Sequence, residues 1–211
     1  NLTGNDTDAD GTINNGSVSV GTATNGTIVN NGNGTVTYTH DGSETTSDSF
    51  TYTVNDNNGA TSNTATVNIT ITPQNDAPVA NNDAATVNEG ASVTINLTGN
   101  DTDADGTIIN TSVSVGTAAN GTIINNNNGT VTYTHDGSET TSDSFTYTVN
   151  DNNGVTSNTA TVNITITPQN DPPVANNDVA TVNEGASVTI NLTGNDTDAD
   201  GTINNGSVSV G

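Results

Sequence analysis

The chain has 211 residues, no Lys or Arg, 23 Asp and Glu, two His and a formal charge of −23 at neutral pH. Without cationic side chains it has nothing to grip a phosphate backbone or an anionic bilayer surface, so nucleic acid is excluded as a partner and electrostatic membrane attachment with it. No apolar run approaches the roughly 18–20 residues of a membrane span, so no direct membrane insertion is expected. The absence of Cys rules out disulfides, and the absence of Lys rules out lysine–asparagine isopeptide links.

Asn1-Leu2-Thr3-Gly4-Asn5-Asp6 recurs at Asn96-Leu97-Thr98-Gly99-Asn100-Asp101 and at Asn191-Leu192-Thr193-Gly194-Asn195-Asp196, a period of 95 residues. Residues 1–95 and 96–190 differ at eight positions, among them Val29/Ile124, Ala60/Val155 and Ala77/Pro172. A repeat of this length is one small domain rather than a solenoid rung. Composition by itself is that of a disordered chain, with few large apolar residues and high net charge. The patterning says otherwise.

In the first copy, Thr35-Val36-Thr37-Tyr38-Thr39-His40, Ser49-Phe50-Thr51-Tyr52-Thr53-Val54 and Thr66-Val67-Asn68-Ile69-Thr70-Ile71 alternate apolar with Thr, Ser or Asn. That is the period of a half-buried strand, and Thr on the wet face keeps β propensity high. Next comes Pro73-Gln74-Asn75-Asp76-Ala77-Pro78, whose prolines remove backbone donors and stiffen the chain, as a domain boundary does.

The middle copy predicts seven strands, near 84–87, 92–98, 112–115, 121–124, 129–135, 143–150 and 158–167. They are separated by the turn pairs Glu89-Gly90, Asp105-Gly106, Asn120-Gly121, Asn128-Gly129, Asp136-Gly137 and Asn153-Gly154. No stretch has helical apolar spacing. Seven short strands in one period read as an all-β, immunoglobulin-like β-sandwich. Its core is expected at Val93, Ile95, Leu97, Val113, Val115, Ile123, Val131, Tyr133, Phe145, Tyr147, Val149, Val162, Ile164 and Ile166.

A second boundary follows at Pro168-Gln169-Asn170-Asp171-Pro172-Pro173. The expected domains are a sandwich over 1–76 lacking its first strands, a complete sandwich over 77–171, and the N-terminal strands of a third over 172–211. This is the layout of a window from a longer tandem array. In another arrangement, the C-terminal strands of one chain complete the N-terminal sandwich of a second copy by donor-strand pairing.

Each full copy carries ten acids, mostly in turns and at the boundaries. The densest group is Asp101-Thr102-Asp103-Ala104-Asp105-Gly106. Alternate acids ending in Gly let a bending loop aim several carboxylates at one centre. Ca2+ takes six to eight hard oxygens at such a site, whereas Mg2+ keeps its waters and demands a tighter octahedron. An EF-hand is rejected, because the later Glu and the flanking helices are missing. Two carboxylates about 5 Å apart at an effective dielectric near 20 repel by roughly 3 kcal/mol, less where water screens them. With no Lys or Arg to offset them, converging acids call for a divalent ion. The competing reading is that Asp and Asn merely build turns.

Four ordered motifs carry a family resemblance. Asp103-Ala104-Asp105-Gly106 resembles the Asp-Ala-Asp element of cadherin repeats. Val149-Asn150-Asp151-Asn152-Asn153-Gly154 resembles their Ala-x-Asp-x-Gly segment. Residues 159–166 followed by Gln169-Asn170-Asp171-Pro172-Pro173 resemble the last cadherin strand and its linker, and Val87-Asn88-Glu89-Gly90 resembles the acidic turn near a cadherin domain's start. Unit length and linkers are similar to bacterial cadherin-like tandem-95 repeat proteins and to extender regions of giant adhesins exported by type I secretion.

The resemblance implies Ca2+ at the domain junctions. The first junction would use Asn75, Asp76, Asp103, Asp105 and Asp151. The second would use Glu89, Asn170, Asp171, Asp198 and Asp200. Corresponding positions elsewhere in the repeats are Asp8, Asp10, Asp56 and Glu184, and Asp101 heads the acidic loop. Glu44 and Glu139 sit near where cadherins place an Asp-Arg-Glu pair, without that motif. Pro73 and Pro168 replace a frequent Asp ligand and the linker is one residue shorter, which leaves one to three ions per junction.

No catalytic set is read here. His40 and His135 are strand-end residues, and with no Cys a zinc site is disfavoured. Ser138, His135 and Asp136 are adjacent in one turn, whereas a hydrolytic triad converges from separate elements. There is no Trp to make a sugar platform. The many Asn-x-Thr triplets arise from composition. The expected role is an extracellular structural extender of a surface adhesin or matrix fibre, with neighbouring repeats as partners. The alternative is a ligand-binding or self-associating module, with other copies of the chain as partners in a filament through Thr-rich edge strands.

Overall fold

The computed structural model of the chain describes residues 1–209. It separates into two compact units, Asn1–Asn75 and Asp76–Gly211. The architecture is nearly all β: among the described residues there is no α-helix, only single 3₁₀ turns at Thr3–Asn5 and Asn205–Ser207.

The first unit has five strands: β1 (Ile13–Val20), β2 (Gly26–Asn30), β3 (Val36–His40), β4 (Ser47–Asp56) and β5 (Ala65–Thr70). They form an antiparallel sheet β1-β4-β5 and an antiparallel pair β2-β3. Strict alternation puts Phe50, Tyr52 and Val54 of β4 inside, with Leu2 and Val18, while the intervening Thr residues face outward.

The second unit holds a seven-stranded sandwich: β6 (Asp83–Asn88), β7 (Ser92–Asn96), β8 (Ile108–Val115), β9 (Gly121–Asn125), β10 (Thr130–His135), β11 (Ser142–Asp151) and β12 (Ala160–Thr167). One sheet has the order β6-β12-β11-β8 and the other β7-β10-β9. β6 runs parallel to β12 with Asp83 opposite Val162 and Asn88 opposite Thr167; the other pairs are antiparallel. Eleven of the fourteen expected core residues are buried, and Val93, Val115 and Ile123 are partly so; Ala80, Val87 and Ala160 complete the core. The two inner faces interlock around Tyr133, Tyr147 and Phe145, the bulkiest side chains of the core.

β8 begins four residues earlier than alternation indicates. Its register against β11 jumps between Thr148 and Asn150. There the Ser112 hydroxyl donates to Ile109 O (2.6 Å) and accepts from the Asn150 amide (2.7 Å), replacing the missing ladder bonds. Ser17 does the same in the first copy.

Residues 178–183 and 187–191 nearly repeat the sequences of β6 and β7, yet they carry no strand. In the complete sandwich β12 and β10 hold those strands; among the described residues no strand pairs with this segment. Among the described residues after 172, backbone bonds form at the Val174–Thr197 bridge and in the turns at Asn183–Ala186 and Asn204–Ser207.

Candidate metal centre

The Asp-rich loop between β7 and β8 is built by its own side chains. Asp103 Oδ1 accepts from the amides of Asp105 (3.4 Å) and Gly106 (3.2 Å). Asn152 Oδ1 accepts from the Thr107 amide at 2.7 Å. Both side chains close on Gly106, where an added Cβ would lie 2.7 Å from Asn152 Oδ1 and 2.7 Å from Asp103 Oδ2. Any side chain there would force Asn152 or Asp103 to shift. Asp103 Oδ2 is buried with no hydrogen-bond partner, and so are Asp8 Oδ2 and Asp198 Oδ1 in the equivalent loops. A buried carboxylate oxygen without a partner is costly, and one site after another in this repeat leaves such an oxygen.

Several expected ligands have structural duties. Asp151 is almost fully buried, and its Oδ1 accepts from the amides of Asn153 (2.9 Å) and Val155 (2.7 Å), which shapes the β11–β12 turn. Asp56 orders the matching turn through the Asn58 and Ala60 amides, both at 2.8 Å. Asp101 Oδ1 accepts from the Asn81 amide at 2.8 Å and stands 2.9 Å from the Tyr147 hydroxyl, which also lies 2.8 Å from the carbonyls of Asn81 and Leu97. Asp83 joins this group. Burial pushes its carboxyl up to about 6, with the Asp101 charge adding to the rise and hydrogen bonds from Tyr147 and Asn100 opposing it.

The acids that come together lie at the far end of the complete sandwich. Glu89 stands in the β6–β7 turn, Glu139 in the β10–β11 loop and Asp171 in the segment after β12, and one carboxylate oxygen of each falls within 4.8 Å of the other two. Glu89 is anchored twice: its amide donates to Thr167 O (3.0 Å), and its Oε2 accepts from the Gln169 amide (3.1 Å). The Asp171 amide donates to Asp200 Oδ1 at 3.3 Å, which adds a fourth acid. The Glu139 carboxyl is held above its ordinary range by partial loss of water and by the charges of Glu89, Asp200 and Asp171.

Among the sequence-predicted residues, Glu89 and Asp171 therefore meet, with Asp200 bonded to the Asp171 amide and its charge acting on Glu139. Asn170 steadies the segment, its side-chain amide donating to Asp171 O at 3.0 Å. Asp198 sits in the neighbouring loop with its buried Oδ1. Glu139 is the member that motif reading underweighted, because the Asp-Arg-Glu pattern is absent around it. Its one sequence signal is its place four residues beyond a strand end. Glu184, the counterpart of Glu89, lies exposed in a turn. Asn75 closes the first unit. The Asp76 amide donates to Asp105 Oδ1 at 3.2 Å, the same bond as Asp171 to Asp200. In the first unit Asp8 Oδ1 accepts from the Asp10 amide at 3.4 Å.

Not every acid belongs to such a site. Asp136 accepts from the Ser138 amide of its own turn, as the turn-building reading expects, while Asp143 in β11 accepts from the Ala119 and Asn120 amides of the β8–β9 loop.

An array of immunoglobulin-like β-sandwiches with clustered acids at a sandwich end defines a class of extracellular adhesion and structural modules. The model of the bacterial cadherin-like domain matches residues 1–73 and 75–168, and that of the bacterial Ig domain matches 170–211. The chain belongs to the bacterial cadherin-like domain family. Such domains are typical of extracellular or cell-surface proteins, and no helix among the described residues is long and apolar enough to cross a membrane.

None of the curated proteins matches the chain. Solved structures similar to it include an endo-fucoidan hydrolase of glycoside hydrolase family 107, at 19% identity over 72% of this chain and 24% of that one, with a TM-score of 0.31. The fibronectin(III)-like modules of Clostridium thermocellum CbhA match at 11% identity over 77% and 83%, with a TM-score of 0.29. The chain thus spans about a quarter of the hydrolase it matches.

Proposed function

We propose that the chain is a non-catalytic extender segment of an extracellular array, stiffened by Ca2+ bound among the acids at its sandwich ends. The observation that carries this reading is the approach of Glu89, Glu139 and Asp171 within 4.8 Å in a protein with no Lys or Arg. The donor set is all hard oxygen, as Ca2+ prefers, and the buried, unpartnered Asp198 Oδ1 stands in the loop that supplies Asp200. Glu89, Glu139, Asp171 and Asp200 would hold the ion. Bound there, the cation supplies charge neutralisation and a link between the β6–β7 turn, the β10–β11 loop and the segment after β12. The chain's partners in this role are the neighbouring repeats of its own array.

The test is a thermal melt and small-angle scattering with Ca2+ and with chelator. The reading requires a higher melting temperature and a narrower spread of dimensions with Ca2+. Identical melts and scattering curves would remove the metal from the account. Extracellular calcium modules bind in the region of 10⁻⁴–10⁻³ M, so the titration should cover about that range.

A further inference from the structure

His135 ends β10 with its side chain 0% exposed. Its Nδ1 lies 3.2 Å from the Gly90 amide and 3.2 Å from the Gly137 amide, and its Nε2 lies 3.0 Å from Thr140 Oγ1. Two N–H groups can converge only on an unprotonated nitrogen. The arrangement fits the tautomer whose proton sits on Nε2, facing Thr140.

The three partners are placed tellingly. Gly90 directly follows Glu89, while Gly137 and Thr140 bracket Glu139. One imidazole thus fastens the turn that carries one carboxylate to the loop that carries the other. We propose that His135 is a positioning residue for the cation site, holding Glu89 and Glu139 face to face against their mutual repulsion; the inference rests on reading that site as a calcium site.

The first copy provides an internal contrast. His40 keeps the local half of the arrangement, with Nε2 2.9 Å from Thr45 Oγ1 and Nδ1 3.3 Å from the Gly42 amide. Its side chain is 22% exposed. The bond to Gly90 is what the complete sandwich adds, and it is the bond that reaches the Glu89 turn. Replacing the ring by a hydrocarbon would leave two amides without their acceptor and free the turn from the loop. Groups that orient ligands from behind commonly change metal affinity 10–100-fold when removed.

The experiment is calorimetric Ca2+ titration of the full chain as wild type, E139Q, H135L and H135N, with E139Q marking the binding step that belongs to this site. That step should weaken about tenfold or more in H135L and return to within about twofold of wild type in H135N, whose Oδ1 replaces Nδ1 as acceptor. If E139Q removes no step, the calcium reading of the site fails. If E139Q removes a step that H135L leaves at wild-type affinity, that reading stands and the positioning role is overturned. A readout free of variant folding is nitrogen NMR of the wild-type chain in chelator. It should show an unprotonated His135 Nδ1 and slow exchange of the Gly90 amide; a proton on Nδ1, or fast exchange at Gly90, overturns the inference.

Discussion

The Asp171 amide donates to Asp200 Oδ1 across 3.3 Å, so a residue just past one sandwich's last strand is fixed to the acidic loop of the next repeat. The bond aligns the Asp171 side chain with Glu89 and Glu139 and brings a fourth carboxylate alongside. The crowding of these charges holds the Glu139 carboxyl above its ordinary range.

Glu139→Gln should therefore act in opposite directions in the two states. In chelator it removes a repulsive charge and should raise the melting temperature slightly. In millimolar Ca2+ it should lose most of the stabilisation that Ca2+ confers on the wild type. Differential scanning calorimetry in both buffers reads the crossing. A variant less stable than wild type in both would mean that the carboxylate serves packing.

Magnesium separates a calcium cage from general screening. At equal concentration Mg2+ should recover only a minor part of the calcium-induced rise in melting temperature, because it gives up its waters reluctantly. Equal recovery by both ions would point to diffuse neutralisation.

Asp83 gives stability a pH dependence of unusual sign. Its folded carboxyl is pushed up to about 6, chiefly by burial, against about 4 in an unfolded chain. The folded state thus holds this proton more tightly, and its contribution falls as pH rises from about 4 to about 6 and stays lost above. Asp83→Asn should be more stable than wild type by about 1 kcal/mol near pH 8, a figure discounted for solvent screening, with the gain vanishing near pH 4. Urea unfolding in chelator at the two pH values measures it. A gain independent of pH would show that the charge is not responsible.

Asp143 works the other way. Burial alone would raise its carboxyl, but the amides of Asn120, Ser144 and Ala119 and the Tyr133 hydroxyl outweigh that and hold it below the usual range. The stability it contributes is present above about pH 4 and is lost as pH falls through its folded value. Asp143→Ala should be destabilising near neutrality and less so at acid pH, below the ordinary carboxylate range. An equal loss at both would assign the effect to packing.

Two glycines should fail for different reasons. Gly106→Ala drives a Cβ to within 2.7 Å of Asn152 Oδ1 and Asp103 Oδ2. It should cost roughly 1–3 kcal/mol and disturb the acidic loop. Gly137 meets nothing within 4 Å but has φ 83°, so Gly137→Ala should cost only about 1 kcal/mol of backbone strain. Equal costs would refute the steric account of Gly106.

Alternation made the strands legible, since each apolar face had to point inward. The start of β8 was hidden, because the Ser112 hydroxyl stands in for backbone bonds and no periodicity encodes that. The turn acids were visible as a set but not by task. Asp151, Asp101 and Asp103 look alike in sequence, yet Asp151 shapes the β11–β12 turn, Asp101 holds the Asn81 amide and Asp103 folds its own loop. Glu139 and His135 owe their importance to the β10–β11 loop lying against the β6–β7 turn, a contact between residues far apart along the chain.

The parallel pairing of β6 with β12 places the chain's entry into the complete sandwich and its exit at opposite ends of one ladder. A pull along the chain therefore acts as shear: the six residue pairs from Asp83–Val162 to Asn88–Thr167 share the load at once instead of unzipping singly. Each such domain resists tension as a lap joint does, through overlap length.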